Sequence, residues 1–107
     1  MAEKRRQEAK LKQDARKFLA AVPEEYIFWC HDGRVFRDMR ELGDGLANIS
    51  DETFVYHVNT EKNDFGKWVK DIIKDEKLAT DLTGTQSRSE AVKIVTDRIA
   101  FLSSKVG

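Results

Sequence analysis

Cys30, His31 and His57 are the side chains of this sequence best suited to nucleophilic, proton-transfer or soft-metal chemistry, and each has a structural use that competes with a chemical one. A thiol beside an imidazole can form a nucleophile pair, provided that the thiol ionises. Cys30 stands in the aromatic run Tyr26-Ile27-Phe28-Trp29-Cys30, where burial keeps a thiol protonated and inert, so it reads as a small core hydrophobe. A structural zinc site wants four ligands in paired spacings, which one cysteine and two histidines do not supply. His57 falls near the end of a short helical pattern, where a charged imidazole is favoured by the helix dipole and a neutral one can bond a free carbonyl. Carboxylates are abundant, but Asp71, Asp75 and Glu76 alternate with Lys70, Lys74 and Lys77 as on a solvated face, not as a paired acid and base in a pocket. There is no glycine-rich phosphate loop. The expectation is a protein without enzymatic activity, cofactor or metal.

The elements that would position these residues follow from capping and periodicity. Ser50 and Asp51 suit the start of a short helix with Phe54, Val55 and Val58 on one side, and Asn59 suits its stop. Thr60 to Asn63 is then a connection, with Asn63 as the next N-cap and Asp64 in the first turn, favoured by the positive end of the dipole. Phe65, Trp68, Val69, Ile72 and Ile73 recur at the spacing of one helical face, with Lys67, Lys70, Asp71 and Lys74 opposite, which predicts a core helix. Lys77, Leu78, Ala79 and Leu82 extend or restart it before Thr83-Gly84-Thr85.

Upstream, Asp32-Gly33 followed by Arg34-Val35-Phe36 predicts a tight hairpin in which both turn residues take positive φ. On that reading Ile27, Trp29 and Phe36 point to one face and Tyr26, Phe28, Cys30 and Val35 to the other. A ribbon apolar on both faces needs cover on both, either from helices of its own chain or from a second copy pairing edge to edge. Asp38 with Glu41 is a capping box for a helix bearing Met39, Leu42, Leu46 and Ile49, in which Gly43 and Gly45 suit close packing against the hairpin. Ser87 with Glu90 opens a last helix along Val92, Val95, Ile99 and Leu102, with Ala91, Ile94 and Phe101 beside them. The fold class is α+β: an N-terminal helix, one two-stranded antiparallel hairpin, then three to four packed helices.

The run from Phe28 to Leu82 resembles a small, largely uncharacterised domain family of archaea and bacteria. The resemblance is carried by Cys30, Asp32-Gly33, Glu41-Leu42, Leu46, Ser50-Asp51, Phe54, Tyr56-His57-Val58-Asn59, Asn63-Asp64-Phe65, Trp68-Val69, Asp71 and Leu78-Ala79. It implies a compact accessory module with no established activity, and leaves the first twenty residues outside.

Charged residues make up 36% of the 107 and cancel to zero overall, so no global field steers the chain to nucleic acid or to a membrane. Residues 1–20 nevertheless hold seven basic residues against Glu3, Glu8 and Asp14, leaving a mildly acidic body. Residues 2–20 lack Gly and Pro and are predicted helical, but Leu11, Ala15, Phe18, Leu19 and Val22 gather late, so the first turns have nothing to bury. The expected division is a basic arm, 1–21, on a compact domain, 22–107. A lone cysteine and the lack of a signal peptide or a long apolar span point to the cytoplasm. The favoured function is a protein-interaction or regulatory module whose frayed N-terminal helix, or exposed hairpin edge, docks a protein partner or a second copy, with Trp29 and Phe36 as contact residues of the hairpin. The alternative is weak, salt-sensitive nucleic-acid binding through Lys4, Arg5, Arg6, Lys10 and Lys12.

Overall fold

The computed structural model describes residues 2–106, and of residues 2–6 the backbone alone. Helix α1 (Ala2–Leu19) leads through a 3-10 turn (Glu24–Tyr26) to the antiparallel pair β1 (Phe28–Trp29) and β2 (Val35–Phe36). Five helices follow: α2 (Met39–Asn48), α3 (Asp51–His57), α4 (Asp64–Trp68), α5 (Glu76–Thr83) and α6 (Arg88–Val106). The α+β class is as expected, with one helix more than the three to four predicted after the hairpin.

The extra helix arises within the predicted core helix and its extension. From Trp68 the chain continues as a π-helical turn (Val69–Ile73), closed by the Lys74 amide donating to the Val69 carbonyl. Lys74 then takes the left-handed conformation at φ 72°, which stops the helix, and Asp75 starts α5 by accepting from the Leu78 amide. The pattern restarts here and does not extend.

Helix α6 is the spine. It packs along α1 and α2 and touches α5, while α4, the π turn and α5 form a second group against it. From α1 the second half docks, with Ala15 fully buried and Phe18 and Leu19 packed against the core. Residues 7–10 are exposed, one helical turn with no covered side. Arg88 ties three elements at one corner: its guanidinium bonds the Leu46 carbonyl at the end of α2 and pairs with Asp51 at the start of α3 at 2.9 Å.

The caps at Asp38, Ser50, Asn63 and Ser87 all accept the amide hydrogen bonds expected of them. The face assigned to α3 is different: Phe54 and Val58 are buried, whereas Val55 is exposed to solvent. Gly43 lies against Val95 and Ile99 of α6, and Gly45 lies so close to Phe36 that a Cβ would overlap the ring. Helix α2 therefore reaches the hairpin on one side and the spine on the other.

The hairpin departs from expectation in register. Phe28 faces Phe36, and Trp29 faces Val35. The Cys30 amide donates to the Arg34 carbonyl at 2.8 Å, which makes a three-residue loop of His31, Asp32 and Gly33, with Gly33 alone at positive φ (+95°). Asp32 stays outside the left-handed region and uses its carboxylate locally. It accepts from the Arg34 amide and pairs with the Arg34 guanidinium, both at 3.0 Å, and its carboxyl is held below the usual range chiefly by that amide bond. Because side chains alternate along a strand, the one-residue difference in pairing moves Phe36 to the face of Phe28. Phe36 is 2% exposed and stacked on Phe28, while Trp29 is 73% exposed. Phe36 is a core residue and is corrected as a candidate contact residue.

Candidate functional site

Two features stand out once the fold is in place: a polar junction built on His57, and the outer face of the hairpin. At the junction, the end of α3 brings His57 between the hairpin loop and the start of α4. Its Nε2 accepts from the His31 backbone amide at 3.0 Å, which requires that nitrogen to carry no proton. The proton of the neutral ring is then on Nδ1, which donates to Asp64 Oδ2 at 2.9 Å. Asp64 also receives Lys62 Nζ at 3.0 Å. Burial pushes the Asp64 carboxyl up, but the hydrogen bonds from His57 and Lys62 outweigh it and hold the group below its usual range. The His57 ring is buried and tilted against Phe28 and Phe65.

An aspartate behind an imidazole is also half of a catalytic triad, so the other nitrogen decides what the pair can do. Here the Nε2 lone pair is engaged by a backbone amide, and among the described residues no hydroxyl or thiol donates to it. The arrangement fixes a loop. Cys30, one residue from the amide, is buried, and burial pushes its thiol up. Above the junction, the His31 ring stacks on Tyr56 with 3.8 Å between centroids, and Lys62 Nζ sits 5.0 Å from the Tyr56 centroid on the half-exposed surface.

The other residues of the motif hold the same region together. Asn59 accepts from the Glu61 amide and donates its own amide to the Lys62 carbonyl, both at 2.9 Å, so the connection from Val58 to Asn63 is a small bridged turn. Asn63 caps α4 through Oδ1 and donates through Nδ2 to the Leu82 carbonyl of α5. Phe65 is buried among Phe28, Phe36 and Phe54, and Trp68 donates its indole N–H to the Tyr26 carbonyl at 2.8 Å.

On the outer hairpin face, Trp29 borders a groove of about 340 Å³ with Ala21, Val22, Ile27 and Val35, rimmed by Glu24 and Arg37. Of the basic arm, Lys10 and Lys12 are exposed on α1, and the side chains of Lys4, Arg5 and Arg6 lie outside the described residues. A larger cleft of about 670 Å³ between α4 and α5 carries Lys67, Lys70, Asp71 and Glu76, whose charges cancel. Among the described residues no cluster of three His, Cys, Asp or Glu side chains could hold a metal ion, and no helix is long and apolar enough to cross a membrane.

Sequence reasoning missed the buried ion pair. Asp75 was expected on a solvated face, yet it is 1% exposed and receives Arg98 in a two-pronged contact at 2.8 and 3.0 Å. A signal was present: Arg98 falls between Val95 and Leu102, a charge within the apolar stripe of α6. The role of the His31 amide had no comparable signal, because it depends on where a loop meets a helix.

No protein-family model matches the chain, and no curated protein or solved structure matches it.

Proposed function

We propose that this chain is a non-enzymatic protein-interaction module, probed most directly at the outer face of its hairpin. The observation that carries this is the exposure of Trp29, 73%, on the outer face of the hairpin. Leaving a large aromatic in water sacrifices burial energy of about 2 kcal/mol, and tryptophan is the side chain most enriched at the energetic centres of protein interfaces. The neighbouring apolar groove and its rim of one acidic and one basic residue have the make-up of a small interface, with an apolar centre and a polar edge. Pairing of two copies edge to edge would have little ladder to extend, since each strand is two residues long. A second copy would instead meet this one face to face. The buried polar chemistry at His57 supports the same reading, because it serves to hold the hairpin. The resemblance of Phe28 to Leu82 to an accessory module agrees with it, and a lone buried thiol suits the cytoplasm.

A photo-crosslinking residue in place of Glu24, at the rim of the groove, tests this in cells. The expected result is a discrete crosslinked protein species that is absent when the same residue replaces Glu90 and is lost on Trp29→Glu. Twice the chain's mass would identify the partner as a second copy. A pattern that is the same from both positions, or that survives Trp29→Glu, would contradict the proposal.

Nucleic-acid contact is the second reading, favoured by the exposed turn at residues 7–10 of α1, which carries Lys10, and by the exposed Lys12 beside it. An exposed helical turn with basic side chains can lie along phosphates, with affinity that falls steeply as salt rises. Removing residues 2–12 would then abolish binding to duplex DNA or single-stranded RNA while the body stays folded. Binding retained by the shortened chain would exclude the arm.

A further inference from the structure

We propose that His57 is a proton-operated latch on the tip of the hairpin: a second proton on its ring, at Nε2, releases the His31 amide and with it the loop that carries the His31–Tyr56 stack. The latch is a matter of hydrogen-bond bookkeeping at one buried ring. Neutral His57 accepts at Nε2 and donates at Nδ1, and both bonds are made, at 3.0 and 2.9 Å. The charged ring has two donors and no acceptor. Its Nδ1–H keeps Asp64, but its Nε2–H then points at the His31 N–H, donor against donor, and one of the two must turn away. The ring is buried on α3 between Phe28 and Phe65, so the exposed loop is the part free to move.

The charged groups around the ring set which contact gives way. From α4, the Asp64 carboxylate favours the added proton and holds the ring in place. From the connection before α4, the Lys62 ammonium on the same carboxylate oxygen opposes it, from a position open enough to be screened by solvent. The hairpin contributes the neutral Cys30 thiol and the His31 ring itself, which lies on Tyr56. Tyr56 of α3 meets His57 edge-on with 5.0 Å between centroids. The charged ring therefore keeps its bond to Asp64, and the bond surrendered is the one to His31. The hairpin body is not released, because Phe28 and Phe36 remain stacked in the core.

The test is a nuclear magnetic resonance titration of the full chain from about pH 8 to about pH 5, following the His57 ring nitrogens and the His31 amide. The expected result is that His57 passes from the Nδ1–H form to the imidazolium, and that exchange of the His31 amide, corrected for intrinsic pH dependence, speeds by about tenfold in the same step. Over that step the Trp68 indole N–H, bonded to the Tyr26 carbonyl, stays protected. His57→Gln should abolish the step in His31 exchange. Three results would each overturn the latch: a His31 amide that stays protected while His57 charges, a His57 that stays neutral throughout, or a Trp68 indole that exchanges in concert and so reports general unfolding. A step that persisted in His57→Gln would overturn it as well.

Discussion

The hairpin has two faces made from adjacent residues, and they have opposite fates. On the inner face Phe28 and Phe36 lie parallel with 5.6 Å between ring centroids, and Phe65, Trp68 and Gly45 close around them. On the outer face Trp29 and Val35 form the opposing pair, with Trp29 largely in water. The four residues have similar hydrophobicity, so composition does not separate them. Register does: pairing displaced by one residue would exchange an aromatic core residue for a surface one. The loop, through Asp32, Gly33 and the His31 amide held by His57, thus decides which aromatic is left exposed.

The inner face should break the fold. Phe36→Ala is expected to cost about 3 to 5 kcal/mol, enough to unfold a domain of this size, measured by chemical denaturation. A loss below about 1 kcal/mol would mean that the two faces are not so different. An effect of the same order is expected away from the hairpin when one partner of the Arg98–Asp75 pair is removed. Arg98→Met leaves a buried carboxylate at Asp75 without its counter-charge, at about 3 to 5 kcal/mol. Gly45→Ala places a methyl group against the Phe36 ring and should cost about 1 to 3 kcal/mol through overpacking, unless Phe36 shifts, which its stacking shift in the aromatic NMR spectrum would reveal.

The outer face should break the interaction and spare the fold. Trp29→Glu is expected to change stability by no more than about 0.5 kcal/mol while removing the crosslink from position 24. The loop sharpens the comparison through pH. Asp64 has its carboxyl held below the usual range in the folded chain, so the unfolded chain binds the proton more readily in acid. The stability this contributes is fully present above the ordinary aspartate range and is lost as pH falls through the lowered folded value. Asp64→Asn should flatten that part of the acid limb in denaturation curves recorded from neutral pH downward.

Much of the fold could be read from local chemistry. Asp38, Ser50, Asn63 and Ser87 announce helix starts because a short polar side chain before an apolar period has a definite job, and each performs it. The core role of Phe65, Trp68 and Val69 was legible from spacing alone. The register of the hairpin was not, because Asp-Gly is compatible with turns of two and three residues, and the choice rests on how Asp32 spends its carboxylate. Nor was the second helix start at Asp75 separable from a run of alternating charges, since its burial comes from Arg98, 23 residues away. At the candidate site Tyr56, His57, Asn59, Asn63 and Asp64 could be grouped as helix-ending and helix-starting residues. That His57 reaches across to the hairpin, 26 residues back, is a tertiary contact with no local pattern to betray it.

Iodide quenching of the two tryptophans in dilute solution tests the division of the hairpin most directly, since Trp29 is 73% exposed and Trp68 is 7% exposed. One accessible component of the emission is expected, retained in Trp68→Phe and gone in Trp29→Phe, and shielded by any partner that covers the outer face. Emission from Trp29 that is shielded in the isolated chain would place it in the core and leave the hairpin without a free face.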